Sequence, residues 1–211
     1  METLFINMTA SKNALIIFTR NPELGKVKTR LAATIGNQSA LEIYKLLIHH
    51  TVKITSTINA NKYVFYSENI QKNDAWNPSI FKKELQNGKN LGERMQNAFD
   101  LLFKKGYQKI VIVGSDIYEL NSQDIEDSFI SLKTSSYVIG PAKDGGYYLL
   151  GMRQLNKNIF ENKNWGTDTV FNDTIEDLKE NVVVLLSEKN DIDIYDDIKN
   201  MEVFNQFLIK K

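Results

Sequence analysis

The chain has 211 residues, 26 of them Lys or Arg and 26 Asp or Glu, so it carries no net charge that would draw it to nucleic acid or to an acidic partner. It has no cysteine, which excludes a disulfide framework, thiolate chemistry and sulfur-ligated zinc. Its two histidines, His49 and His50, are adjacent, so a helix turns them to different faces and a two-histidine metal site is not expected.

A chain of this length buries roughly 70% of the surface it exposes when unfolded. It reads as one domain over residues 1–211, with residues 1–12 expected to be disordered. Met1 to Asn13 shows no basic, apolar, small-residue order, and no apolar run approaches the ~20 residues of a membrane span. The expectation is a cytoplasmic protein.

Ala14 to Phe18 is a buried-strand run and the expected first strand. It leads into a loop punctuated by Pro22 and Gly25, and a helix begins near Lys28. Asn37 to Ile58 places Leu41, Tyr44, Leu47, Ile48 and Val52 at helical spacing. Lys62 to Tyr66 is a second strand, followed by a polar, irregular span that holds Trp76 and Pro78. Leu91 to Lys105 is an amphipathic helix closed by Gly106. Lys109 to Leu120 contains a β-branched run, Ile110 to Val113, that is apolar on both faces, the mark of a central parallel strand. Asn121 opens a short helix with Asp124 in its first turn. Tyr137–Gly140, Tyr147–Met152 and Val182–Leu186 read as strands, and Thr167–Leu178 and Tyr195–Phe207 as helices. Strands alternating with helices imply a parallel or mixed sheet covered on both faces.

Four stretches concentrate charge and glycine. Asp116 follows the central strand at once, where open α/β sheets bind ligands, although an Asp there also serves as a turn or cap residue. Arg20, Lys26, Lys28 and Arg30 lie within eleven residues after the first strand. A glycine-containing loop entering a helix there suits phosphates; a solvated basic loop is the plainer account. Asp144-Gly145-Gly146 between two strands suits a hairpin turn with positive φ, or a close ligand approach. Asp191, Asp193, Asp196 and Asp197 fall within seven residues. Helix capping explains the last two but gives no reason for Asp193. Were Asp193 to meet Asp116, two carboxylates ~4 Å apart would repel by ~1–4 kcal/mol, and a divalent cation would reverse the sign.

Five segments carry a resemblance: Gly25-x-x-Lys28-Thr29-Arg30-Leu31, Leu91-Gly92-Glu93-Arg94-Met95, Gly114-Ser115-Asp116, Gly140-Pro141-Ala142-x-Asp144-Gly145-Gly146-Tyr147 and Trp165-x-Thr167-x-x-Val170. In this order the chain resembles the bacterial glycosyltransferase-A-like family of the nucleotide-diphospho-sugar transferase superfamily, formerly a domain of unknown function. It is similar, at greater distance, to phospholactate guanylyltransferase and molybdenum cofactor guanylyltransferase. The resemblance implies an α/β fold, a three-layer Rossmann-like mixed sheet of the GT-A type. It implies a nucleotide site formed by Thr19, Arg20, Gly25, Lys26, Lys28, Arg30 and Ser115. Mg²⁺ or Mn²⁺ would sit on Asp116 and Asp193, the latter from an Asp-Ile-Tyr-Asp-Asp-Ile segment with Ile194 where threonine is usual. Tyr118 stands where the family tends to have proline.

Asp144, Gly145, Gly146, Tyr147, Trp165 and Thr167 would form the sugar and acceptor side, although packing alone explains Trp165 equally well. Asp116, Asp144 and Lys28 are the implied catalytic residues. Leu91 and Met95 are better explained as core, and Arg94 as one half of a surface ion pair. The implied partners are a nucleotide or nucleotide-sugar and a small-molecule acceptor. Glycosyl transfer from a nucleoside diphospho-sugar is the first reading. Nucleotidyl transfer to a phosphorylated acceptor, with pyrophosphate release, and a non-catalytic binding protein are the alternatives.

Overall fold

A computed structural model describes residues 11–208. The expected disorder of residues 1–12 therefore lies mostly outside the described residues, but Ser11 and Lys12 are placed. The Ser11 hydroxyl donates to the Asn59 carbonyl at 3.4 Å, and the Lys12 carbonyl accepts from the Gln108 amide at 2.8 Å.

Seven strands form one sheet: β1 (Asn13–Thr19), β2 (Asn61–Tyr66), β3 (Phe81–Leu85), β4 (Lys109–Gly114), β5 (Tyr137–Pro141), β6 (Tyr147–Met152) and β7 (Val183–Leu185). Their spatial order is β3-β2-β1-β4-β6-β5-β7, with β6 antiparallel to both its neighbours and the other pairings parallel. The sheet is mixed because the short Asp144-Gly145-Gly146 connection returns β6 directly against β5, whereas parallel partners need long crossovers.

Alternation along β1 shows how the layers are built. Leu15 and Ile17 face a cluster with Leu41, Tyr44 and Ile48 of α2 (Asn37–Ser56) and with Ile125 and Phe129 of α4 (Ser122–Ser131). Ala14 and Ile16 face Met95, Phe99 and Leu102 of α3 (Leu91–Lys104), joined by Phe171 and Ile175 of α5 (Val170–Asp177). A smaller cluster packs Leu31 of α1 (Thr29–Ile35) and Ile43 and Leu47 of α2 against Ile192, Ile198 and Phe204 from the end of the chain. That contact draws the acidic C-terminal segment back towards the loop after β1.

Two elements differ from the sequence reading. The irregular span after β2 contains a strand, β3, whose Phe81-Lys82-Lys83-Glu84-Leu85 is mostly polar because it lies at a sheet edge. The expected C-terminal helix is instead broken into α6 (Tyr195–Ile198), a 3₁₀ turn (Glu202–Phe204) and α7 (Asn205–Leu208). Burying Ile198 and Phe204 in the small cluster takes precedence over helical continuity. The short helix after Asn121 starts as its residues dictate: Asn121 Oδ1 accepts from the Asp124 amide at 3.1 Å, and Asp124 Oδ2 accepts from the Asn121 amide at 3.0 Å. No described helix is long and apolar enough to cross a membrane.

Candidate active site

After β1 the chain moves out to β2 and β3 on one side, then returns to β4 on the other. The crevice at the C-terminal ends of β1 and β4 is thus the topological switch point of the sheet. A cleft of about 590 Å³ opens there, lined by Arg20 after β1, Gly114 and Asp116 after β4, and Asn90, Leu91, Arg94 and Met95 at the start of α3. A second lobe of about 240 Å³ shares Leu91, Met95, Asp116, Tyr147 and Tyr148 with it and extends over Asp144, Trp165, Thr167 and Asp191.

The floor is fixed by buried hydroxyls. Ser115 Oγ donates to Thr19 Oγ1 at 3.1 Å, and the Tyr44 hydroxyl lies 3.1 Å from Ser115 Oγ and 3.3 Å from Thr19 Oγ1. The Arg20 amide also donates to the Tyr44 hydroxyl at 2.8 Å. Thr19 and Ser115, the expected nucleotide-binding residues, use their side chains to tie the ends of β1 and β4 to α2.

Lys28 is the cation that the loop delivers. It sits at φ 48°, a left-handed conformation that is costly for a residue with a Cβ, and caps α1 by backbone alone. Its ammonium, 6% exposed, lies 2.9 Å from Asp116 Oδ2. Burial works to lower the Lys28 ammonium, but the nearby Asp116, Asp193 and Asp191 carboxylates together hold it above its usual range. Burial likewise works to raise Asp116, and Lys28 and Arg20 overcome it, keeping the carboxyl below its ordinary value. Both groups are therefore charged at neutral pH.

The other expected basic residues lie elsewhere. Lys26 is exposed and pairs with Glu23 at 2.6 Å and Glu68 at 3.6 Å; Arg30 is exposed and pairs with Asp193 at 2.6 Å. Neither lines the cleft, and Gly25 supplies a positive-φ turn (75°) at the loop tip. Arg94 lines the cleft, and its guanidinium donates to the Gly88 carbonyl at 3.1 Å and to Gln86 Oε1 at 3.4 Å, not to an acid. Surface pairing, the reading its sequence position favours, does not describe it.

Asp193 is held by Arg30 and does not line either lobe, whereas Asp191 does. The Ile192 amide donates to the Asp116 carbonyl at 3.2 Å and seats this segment against the end of β4. Burial, then the Asp144 and Asp116 carboxylates, push Asp191 up to about 6. Between about pH 4 and 6 the folded chain holds a proton here that the unfolded chain releases, so stability falls as pH rises through that window. The rise from 3.8 corresponds to about 3 kcal/mol before solvent screening, which at this half-buried position leaves about 1 kcal/mol. Asp191→Asn is expected to raise the melting temperature of metal-free protein by about 2–4 °C at pH 7.5 and to lose most of that gain at pH 4. Thermal denaturation at the two pH values checks this; a variant less stable at pH 7.5 would refute it.

Asp144 accepts from the Gly146 amide at 2.8 Å, so the Asp-Gly-Gly turn and the cleft lip are the same feature. Gly145, at φ 85°, lies so close to Asp168 that a Cβ would stand 2.2–2.6 Å from that residue's backbone. Trp165 seats on Gly92, where a Cβ would stand 2.4 Å from the indole Nε1. The Leu91-Gly92 and Asp144-Gly145-Gly146 segments are thus the two seats that dock the 165–168 loop over the second lobe.

Among the described residues no three His, Asp or Glu side chains stand close enough together to hold a metal by themselves. The donor set that the cleft does offer, Asp116 and Asp191 with hard oxygens, fits Mg²⁺ or Mn²⁺, which binds through one or two carboxylates and completes its shell with substrate phosphates.

A mixed sheet of this order, with its cleft at the β1/β4 switch, defines the class: it has the fold of the nucleotide-diphospho-sugar transferases. Within that class, the chain belongs to the family described as uncharacterized protein conserved in bacteria (DUF2064), whose profile matches residues 51–167. It is similar to a candidate nucleotide-diphospho-sugar transferase from Desulfovibrio desulfuricans G20, at 27% identity and TM-score 0.82, over 95% of this chain and all of that one. The fold is shared with the 4-diphosphocytidyl-2C-methyl-D-erythritol synthase of Anaerococcus prevotii DSM 20548 (10% identity, TM-score 0.60, 93% and 97% of the two chains). It is shared too with a CMP:2-keto-3-deoxy-manno-octonic acid synthetase complexed with CTP (8% identity, TM-score 0.53, 93% and 98%). No curated protein matches the chain in sequence.

Proposed function

We propose that the protein is a nucleotide-using transferase that moves a glycosyl group from a nucleoside diphospho-sugar to a small acceptor, and that residues 1–211 act as one domain. The observation that carries this reading is the Asp116–Lys28 pair at the switch point, between a lobe lined by Arg20 and Arg94 and a lobe lined by acids and aromatic rings. The first lobe receives the nucleotide. Arg20, Arg94 and the N-terminus of α3 offer positive potential to its phosphates, and Lys28 neutralises charge on the departing diphosphate. Asp116 and Asp191 would hold Mg²⁺ or Mn²⁺, which supplies Lewis-acid stabilisation of the same leaving group. The 165–168 loop covers the transferring sugar, and Asp144 takes the proton of the attacking acceptor.

Charge accounting weighs against nucleotidyl transfer from a triphosphate. The two extra cations that such a substrate would call on, Lys26 and Arg30, do not line the cleft; Lys26 pairs with Glu23 and with Glu68, which does line it, and Arg30 pairs with Asp193. The D. desulfuricans relative, matched over its whole length, supports the diphospho-sugar reading.

Thermal shift with nucleoside diphospho-sugars and nucleoside triphosphates, with and without Mn²⁺, followed by product analysis, tests the proposal. The expected result is Mn²⁺-dependent stabilisation by at least one diphospho-sugar, with release of the nucleoside diphosphate. Pyrophosphate release from a triphosphate in the presence of a sugar phosphate would replace it with nucleotidyl transfer. Binding with no turnover on any donor and acceptor would make the protein a nucleotide-sugar binder.

A further inference from the structure

A side-chain amide is costly to bury unless its donors and acceptor find partners. Asn21, 3% exposed, finds all of them on one distant segment. Its Nδ2 donates to the Asn69 carbonyl at 2.8 Å and to Asn69 Oδ1 at 3.1 Å. Its Oδ1 accepts from the Glu68 amide at 3.1 Å, the Asn69 amide at 3.3 Å and the Ser67 hydroxyl at 3.4 Å. One side chain thereby fastens the loop after β1 to the turn after β2, 46–48 residues further along the chain.

That turn is a wall of the cleft. Ser67 and Glu68 line the first lobe, with Gln86 after β3 and Asn90 before α3. The strand order β3-β2-β1-β4 puts the ends of β2 and β3 across β1 from Asp116. With the diphosphate at Lys28 and Asp116 and the sugar in the second lobe, the nucleoside lies against this wall. Most of its polar side chains are already engaged. Gln86 Nε2 donates to the Thr19 and Phe65 carbonyls at 3.2 and 3.0 Å, and its Oε1 accepts from Arg94 at 3.4 Å. Ser67 Oγ is taken up by Asn21, and Asn90 Oδ1 accepts from the Glu93 amide at 2.9 Å. The Glu68 carboxylate is the exception, with only an exposed Lys26 at 3.6 Å. An ionised carboxylate accepts hydrogen bonds, and each common nucleobase presents an N–H donor on its pairing edge.

We propose that Asn21 is a positioning residue for the donor's nucleobase, holding the Ser67–Asn69 turn so that the Glu68 carboxylate accepts a hydrogen bond from the base. This rests on the first lobe receiving the nucleotide and extends that reading to the wall that recognises the base. The phosphate end is fixed by other means. The Tyr44 hydroxyl accepts from the Arg20 amide at 2.8 Å and donates to the Arg20 carbonyl at 3.3 Å, and Lys28 is held by Asp116. Loss of the Asn21 side chain therefore acts on the nucleoside and spares the diphosphate.

Calorimetric titration of the full-length protein in Mg²⁺ tests this, with inorganic pyrophosphate as one probe and the tightest-binding of ADP, CDP, GDP and UDP as the other. Asn21→Ala is expected to weaken the nucleoside diphosphate about tenfold and pyrophosphate less than about twofold. Glu68→Gln is expected to weaken the nucleoside diphosphate about fivefold or more. Adding Asn21→Ala to it then costs less than about threefold, because both act through one contact. Asn21→Asp, which keeps the accepting oxygen but opposes Asn69 with a second one, gives the same comparison if the alanine variant does not fold. Gly106→Ala, at a positive-φ position beyond the C-terminal end of α3, is the control for lost stability and leaves both affinities unchanged. Equal losses for the two probes, additive effects of Asn21→Ala and Glu68→Gln, or nucleoside binding indifferent to both residues would overturn this inference alone. No binding of any nucleoside diphosphate would overturn it together with the nucleotide reading of the first lobe.

Discussion

Replacing Asp116 by Asn is expected to lower transfer by about 10²–10³-fold, the scale seen when a preorganised charge at a reacting centre is removed. It is also expected to abolish the Mn²⁺-dependent part of donor-induced thermal stabilisation. The substitution keeps the shape of the side chain but removes the charge that faces Lys28 at 2.9 Å. Lys28, only 6% exposed, is then left without its main counter-ion. Because the Asp116 carboxylate is itself 39% exposed, the stability cost is about 1–2 kcal/mol rather than the 3–5 kcal/mol of a broken buried pair. The informative comparison is therefore between a large loss of turnover and a small loss of stability. Donor-dependent nucleoside diphosphate release and melting curves on one preparation measure both. A variant with unaltered turnover and metal response would remove Asp116 from the chemistry.

Gly145→Ala carries the largest expected structural effect. Two penalties act together: alanine at φ 85°, and a Cβ 2.2–2.6 Å from the Asp168 backbone. Backbone conformation alone costs about 1 kcal/mol. Relieving the overlap by moving the 165–168 loop, as in overpacked cores, adds about 1–3 kcal/mol. Gly106→Ala isolates the first contribution, since Gly106 has φ 89° and nothing within 4 Å of its would-be Cβ. Gly106→Ala should lower the melting temperature by about 2–4 °C, and Gly145→Ala by about twice that or more. Gly145→Ala should also weaken acceptor use more than donor binding, because the displaced loop covers only the second lobe. Equal effects of the two substitutions on both readouts would show that the Asp168 contact does not matter.

The sheet was readable where the physics is local. Ile110 to Val113 and Leu15 to Ile17 are apolar on both faces because helices cover both sides, and a continuous apolar run records that directly. Asn121 and Asp124 announce their capping box within four residues. Where tertiary position sets the pattern, sequence reasoning loses it. Lys82-Lys83-Glu84 looks like a loop because an edge strand has one partner and is protected by charge.

The site divides in the same way. Asp116 and the Asp144-Gly145-Gly146 turn follow from strand ends and glycine, and both line the cleft. In Asp191-Ile192-Asp193, burial of Ile192 (1% exposed) leaves two carboxylates to choose between. Arg30, 163 residues away in sequence, pairs with Asp193, and Asp191 is the one that lines the second lobe. Of the basic loop, Arg20 lines the cleft and Lys28 meets Asp116, whereas a cluster of like charges does not show that Glu23, Glu68 and Asp193 will fold back onto Lys26 and Arg30. Arg94 and Gln86 become visible as cleft residues only once α3 is docked against the end of β2 and its neighbours.

The clasp of Thr19, Tyr44 and Ser115 bears on how the molecule responds to a substrate. Three hydroxyls knot two strand ends to a twenty-residue helix, so the base of the cavity has little freedom left to surrender when a nucleotide arrives. The rim carrying Trp165 is held differently, by close packing on Gly92 and Gly145 that a single added methyl group would break. In the proposed transfer one side of the cleft is thus held like an anvil, and discrimination between acceptors rests with the packed rim opposite it.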